Sequence, residues 1–228
     1  MGAIRSKTFK ALLLTLFTLT GAGVWLLGPG ANPVIASNES GWEVRGQAGF
    51  SENSIMLPDL FLYTTSDGQL VVPYVSYIES YTGNEDTGYK FVVKELFNNE
   101  WRTVGETSLP TGGTHFPVLY VRSGSPYVAF TDYANGKRPT VKTYNGYNWV
   151  TLGNAGFSDY LAVPTSIFAG GPGEGTYVAM MEGISNSPTT TLKITVKTYS
   201  GDSWVNVGTP SGPLSIDWTA RIEKIMQL

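Results

Sequence analysis

The sequence predicts an all-β chain made of four-stranded, β-propeller-type blades, and three recurrences carry that expectation. The clearest is a hairpin. Val141-Lys142-Thr143-Tyr144, Gly146, Trp149-Val150 and Gly153 reappear as Val196-Lys197-Thr198-Tyr199, Gly201, Trp204-Val205 and Gly208. A weaker copy spans Val93–Gly105, and Trp42–Gly46 keeps only the second half. The second recurrence is a central strand: Pro73–Glu79, Pro126–Asp132 and Thr176–Glu182 all carry Tyr-Val and end on an acid. The third is an apolar run ahead of it, at Leu60–Thr64, Phe116–Val121 and Pro164–Phe168.

Each element has a physical reason. The Val-Lys-Thr-Tyr segment alternates and is rich in β-branched and aromatic side chains, which suit a pleated, half-buried surface. Asn145-Gly146 predicts a two-residue type I′ turn, which needs positive φ at both central residues. Trp149–Leu152 is the return strand. The repeated Trp residues 42, 101, 149 and 204 stand 59, 48 and 55 residues apart. Four strands in each such interval match the period of a propeller blade. The units run over about 54–105, 106–153 and 154–208, with a partial fourth at 209–228. Three full units plus partial terminal ones make an incomplete ring, since propellers have about four to eight blades. Three completions stay open: a longer parent chain, a second copy, or a small ring that mixes both termini in one blade.

The first 36 residues read as a signal peptide. Arg5, Lys7 and Lys10 precede the apolar Ala11–Leu19, and Val34-Ile35-Ala36 suits cleavage before Ser37. An uncleaved membrane anchor is the competing reading, because Ala11–Leu27 is apolar, though Gly21, Gly23 and Gly28-Pro29-Gly30 interrupt or end the run. The remainder, 37–228, is the repeat domain. It keeps twelve basic side chains against eighteen acids, a net charge of −6, which argues against a nucleic-acid partner. With no cysteine, disulfides and thiolate metal sites are excluded, so stability has to come from a core.

The Tyr-Asn-Gly-x-x-Trp-Val-x-Val-Gly pattern resembles the repeats of secreted bacterial β-propeller proteins, over roughly Gly41 to Pro210. The resemblance implies a repeat architecture and is nearly silent on ligand, because propellers host many unrelated functions. It is not a WD40 array, since no Gly-His and Trp-Asp pair marks the units, and the kelch double glycine is also missing.

Candidate functional residues fall into two groups. Glu79, Asp132 and Glu182 occupy the same place in every unit. They could form a polar ring for a cation or sugar hydroxyls, or each could hold down the following loop by accepting backbone N–H bonds. Identical use in each unit favours the second account, because a site usually breaks a repeat's symmetry. Lys94, Lys142 and Lys197 also repeat and read as structural, paired with those acids across the hairpin or lying over aromatic surface. The Trp repeat favours packing between blades over sugar stacking. The variable loops after the acids are better ligand candidates. They carry Tyr81, Asn84, Glu85, Asp86, Tyr89, Tyr133, Asn135, Lys137, Arg138 and Asn186. Such mixtures of aromatics and amides suit an adaptable binding surface.

Catalysis finds little support. His115 is the only histidine and reads as a surface or loop residue, with no Gly-x-Ser-x-Gly elbow and no metal cluster around it. No cofactor is expected. The sequence therefore points to an exported binding module for a glycan or a cell-surface protein. The alternatives are a fragment of a sugar-acting propeller enzyme, and a structural or adhesive module without a discrete site.

Overall fold

The computed structural model describes residues 43–82, 87–106, 113–171, 173–185, 191–212 and 214–215. Its strands fall into three antiparallel sheets, each built on four consecutive strands. Sheet 1 contains β1 (Ile55–Thr64), β2 (Val71–Thr82), β3 (Thr87–Phe97) and β4 (Glu100–Thr103). Sheet 2 contains β5 (Thr114–Arg122), β6 (Ser125–Asp132), β7 (Arg138–Tyr144) and β8 (Trp149–Thr151). Sheet 3 contains β9 (Ala162–Ala169), β10 (Thr176–Gly183), β11 (Thr191–Ser200) and β12 (Ser203–Asn206). A two-residue strand, β13 (Leu214–Ser215), pairs with Thr191 and Leu192 of β11. The four-strand unit expected from the repeats is thus present three times. The only helical element among the described residues is a 3-10 turn, Tyr133–Asn135.

Alternation sends the repeated residues to opposite faces. On β6, Val128 and Phe130 join the core shared with sheet 1, where they meet Ile78, Phe91 and Val93. The intervening Tyr127 and Ala129 face sheet 3 and pack with Val178, Met180 and Ile167. A strand buried on both sides cannot alternate apolar with polar, so its run reads as continuously apolar. Phe91 sits 5.1 Å from the Phe130 ring and 5.2 Å from Trp149, a close aromatic cluster between two sheets. Burying each such ring contributes roughly 1.5–3 kcal/mol. Polar stitches add to this packing: Asp59 accepts from the Leu119 N–H at 2.7 Å, and Thr131 donates to the Ala162 carbonyl at 3.0 Å.

The Trp repeat is a latch between successive sheets. Trp149 of sheet 2 donates its indole N–H to the carbonyl of Val104, just past sheet 1, at 2.9 Å. Trp204 of sheet 3 does the same to Leu152, just past β8, at 3.0 Å, and Trp101 does it to Arg45 at 3.1 Å. The residue after each acceptor is a glycine with positive φ. A Cβ on Gly153 would lie 2.6 Å from the Tyr199 ring, so only glycine lets the chain pass so close. Trp42 lies outside the described residues.

Three local expectations need correction. Asn145-Gly146 does not form a type I′ turn, since only Gly146 takes positive φ. Instead the Asn145 side chain accepts from the N–H groups of Tyr147 and Asn148, at 3.0 and 2.9 Å, which stabilises a longer loop. Paired positive φ appears at Asn98-Asn99 and Ser123-Gly124. The variable loop expected after Glu79 is partly strand: β2 continues to Thr82 and β3 starts at Thr87. Finally, the repeated lysines do not pair with the repeated acids. Lys90 lies 3.4 Å from Glu79 and Lys193 lies 3.2 Å from Glu182, each opposite its acid in the strand register. Lys197 pairs instead with Asp159, at 3.6 Å.

Candidate functional site

The loops at the acid end of β6 and the start of β7 form an open groove with a volume of about 720 Å³. Tyr133, Asn135, Lys137 and Arg138 line one side, and Ala155, Gly156 and Leu161 the other. Its frame follows from Asp132, which is buried and accepts from Ala134 N–H (3.1 Å), the Asn135 amide (2.9 Å) and the Thr140 hydroxyl (2.9 Å). These bonds cap the 3-10 turn and hold the 132–138 connection in one shape. Gly136 and then Lys137 take left-handed φ values of 72° and 57°. Lysine tolerates that region poorly, so the surrounding structure enforces it.

The facing wall is tied down as firmly. Phe157 N–H donates to the Pro139 carbonyl, Ala162 N–H to the Lys137 carbonyl, and Gly156 N–H to the Thr140 hydroxyl, all at 3.0 Å. Gly156 has φ +63°, and a Cβ there would come 2.9 Å from Asn135. A side chain at 156 would therefore push the two walls apart.

An aromatic row runs beside the groove. The His115 ring lies 4.5 Å from Tyr133 and 5.3 Å from Tyr89, and the Lys137 ammonium lies 5.0 Å from the Tyr133 ring centre. His115 is not the surface residue expected from sequence. It opens β5 half-buried among Tyr89, Phe116 and Tyr133. Partial burial pushes its pKa below the ordinary value, and the Lys137 charge adds to that shift. Burial likewise raises the Tyr133 phenol.

Of the loop residues singled out in the sequence, Tyr133, Asn135, Lys137 and Arg138 come together in the groove, and Tyr89 joins through His115. Asn84, Glu85, Asp86 and Asn186 lie outside the described residues, as does the side chain of Tyr81. The three repeated acids are buried. Glu79 accepts from Glu52 and Asn53 N–H at 2.9 and 3.1 Å, and Glu182 from Asp159 and Tyr160 N–H at 2.7 and 3.1 Å. Each of the three therefore holds a loop by accepting backbone N–H bonds, but only Asp132 holds the loop that follows it; Glu79 and Glu182 hold the segments ahead of β1 and β9 instead. Ala155, Gly156 and Leu161 are not among the candidate site residues that the sequence offers. A signal existed: Gly156-Phe157-Ser158 repeats Gly49-Phe50-Ser51, and in both copies the phenylalanine stacks on a Trp, at 4.2 and 4.6 Å.

Chemically the groove offers one aromatic platform, an amide that both donates and accepts, and two cationic donors, while the Asp132 carboxylate that frames it is already satisfied. No group of three or more His, Asp or Glu side chains among the described residues could hold a metal ion. No described helix is long and apolar enough to cross a membrane. No protein-family model matches this chain, and no curated protein matches it.

Proposed function

We propose that this chain is an exported module of β-propeller type that acts by binding, and that the groove beside Tyr133 takes a glycan. The carrying observation is the convergence of Tyr133, Asn135, Lys137 and Arg138 on one open groove. Sugar rings offer an apolar C–H face to an aromatic ring and hydroxyls to amides and cations, which is the mixture found here. The propeller assignment is supported by three consecutive four-stranded sheets that pack face to face through the same Trp latch. Export is supported by the basic and apolar N-terminal segment.

The test is a glycan array probed with the purified protein, followed by calorimetry on the best hit. Tyr133→Ala and Lys137→Ala should each weaken binding about tenfold, the 1.4 kcal/mol equivalent of one good contact, with the melting temperature unchanged. A hit that both variants bind as tightly as the parent would remove the groove from the proposal. A silent array combined with capture of a surface protein through the same residues would replace the glycan by that protein.

The architecture also supports self-association. Sheets 1 and 2 each bury one face against the next sheet, and the equivalent face of sheet 3 carries exposed Tyr177, Ile194, Val205 and Val207. A second copy of the chain is the partner proposed to cover it, continuing the stack that already exists within one chain.

A further inference from the structure

We propose a second, smaller binding site on the outward face of sheet 1, a cavity that takes the carboxylate of a small organic acid. It stands apart from the groove beside Tyr133 and does not depend on it. The cavity has a volume of about 280 Å³, and its walls include Glu52, Tyr77, Glu79, Lys90, Val92 and Lys94.

The repeat supplies the comparison that marks this place as different. Tyr77 occupies the position that Phe130 and Met180 fill in sheets 2 and 3, two residues into each Val-x-x-x-acid segment. Val92 stands where Thr140 and Thr195 donate to their sheets' acids, at 2.9 and 2.8 Å. Lys94 stands where Lys197 reaches Asp159 at 3.6 Å, yet no described carboxylate lies within 4 Å of Lys94. So sheet 1 lacks the hydroxyl bond that the acids of both other sheets receive, and it alone carries a phenol at this place. The ion pair is a feature of sheet 3, since Lys142 of sheet 2 has no described carboxylate within 4 Å either.

Glu79 does not consume these groups. One of its oxygens accepts two backbone N–H bonds and the other faces Lys90. The Tyr77 hydroxyl is fully buried and has no hydrogen-bond partner, and Lys94 is itself more than nine-tenths buried. A buried donor without an acceptor is unfavourable, so the pair is poised for an incoming one. The Ser76 hydroxyl also lacks a partner, but Ser76 pairs with Val93 on the opposite face, toward sheet 2.

Two donor residues lining one small cavity suit a carboxylate, which would accept from Tyr77 O–H and from the Lys94 ammonium. The exposed carboxylates of Glu52 and Glu106 at its mouth accept from donors elsewhere on the same ligand. Those donors are the hydroxyls of a sugar acid or the ammonium of an amino acid. The volume, near the lower end for ligand pockets, admits one such unit.

Calorimetric titration of the purified protein at pH 7 with sodium D-glucuronate, and separately with L-alanine, tests the assignment. Saturable binding of one supports it and identifies the source of the carboxylate; binding of neither overturns it. Methyl glucoside binding as tightly as glucuronate would also overturn it, because the carboxylate would then be irrelevant. Tyr77→Phe restores the ring found in sheet 2 and should fold normally, and Lys94→Met keeps the apolar stem. Each should weaken binding at least tenfold; unchanged affinity in both sinks the site. Tyr133→Ala should leave this binding untouched, so loss of one site is readable without the other.

Discussion

At the scale of single residues, His115 shows how position alters chemistry. Its ring is packed between Tyr89 and Tyr133, and both burial and the Lys137 charge disfavour protonation. The unfolded chain takes up this proton near pH 6.5, the ordinary histidine value, before the folded chain does. Folding stability should therefore decline as pH falls through 6.5, and stop declining on this account once the folded-state pKa is passed. NMR titration should place the His115 midpoint below 6.5, and Lys137→Met should move it upward. A midpoint at or above 6.5 would show that the ring is solvated and the aromatic row open. None of this was legible in sequence, where a lone histidine at a strand start resembles many surface residues.

At the scale of elements, the hairpin with its Trp is the unit of assembly. The indoles of Trp149 and Trp204 are buried against their neighbours and each donates to a carbonyl of the preceding segment, so one side chain supplies apolar area and a directional bond. Trp149→Ala should cost about 3–5 kcal/mol, read from urea midpoints, since it empties the centre of the first core and frees the Val104 carbonyl. A loss near zero would mean the indole is peripheral to sheet packing. The recurrence of this element was plain from residues 149 and 204 alone. Its turn was not: Asn145-Gly146 suggests a tight turn, but the Asn145 side chain closes a longer loop. Both conformations suit the same dipeptide, and only the return path of β8 chooses between them.

At the scale of the whole molecule, the sheets stack in chain order, so the outward face of sheet 3 is left bearing Tyr177, Ile194, Val205 and Val207. Contiguous exposed apolar area of this kind marks an interaction surface. If a second copy covers it, light scattering on the purified protein should give the mass of two chains, and Ile194→Lys should return it to one. A single-chain mass for the unaltered protein would contradict self-association.

Local chemistry determined the repeated elements: β-branched and aromatic runs, glycine punctuation and the evenly placed Trp defined four short strands per unit. It also marked the loop residues Tyr133, Asn135, Lys137 and Arg138, because loops that vary in a repeat stand out against it. Tertiary structure decided which residues meet. Glu182 becomes a buried loop anchor, Gly156 the close point between two groove walls, and Tyr77 a phenol without a partner. Those outcomes depend on groups 20 or more residues apart or on neighbouring sheets. Their distances arise only when the sheets pack, so no pattern within one strand could have encoded them.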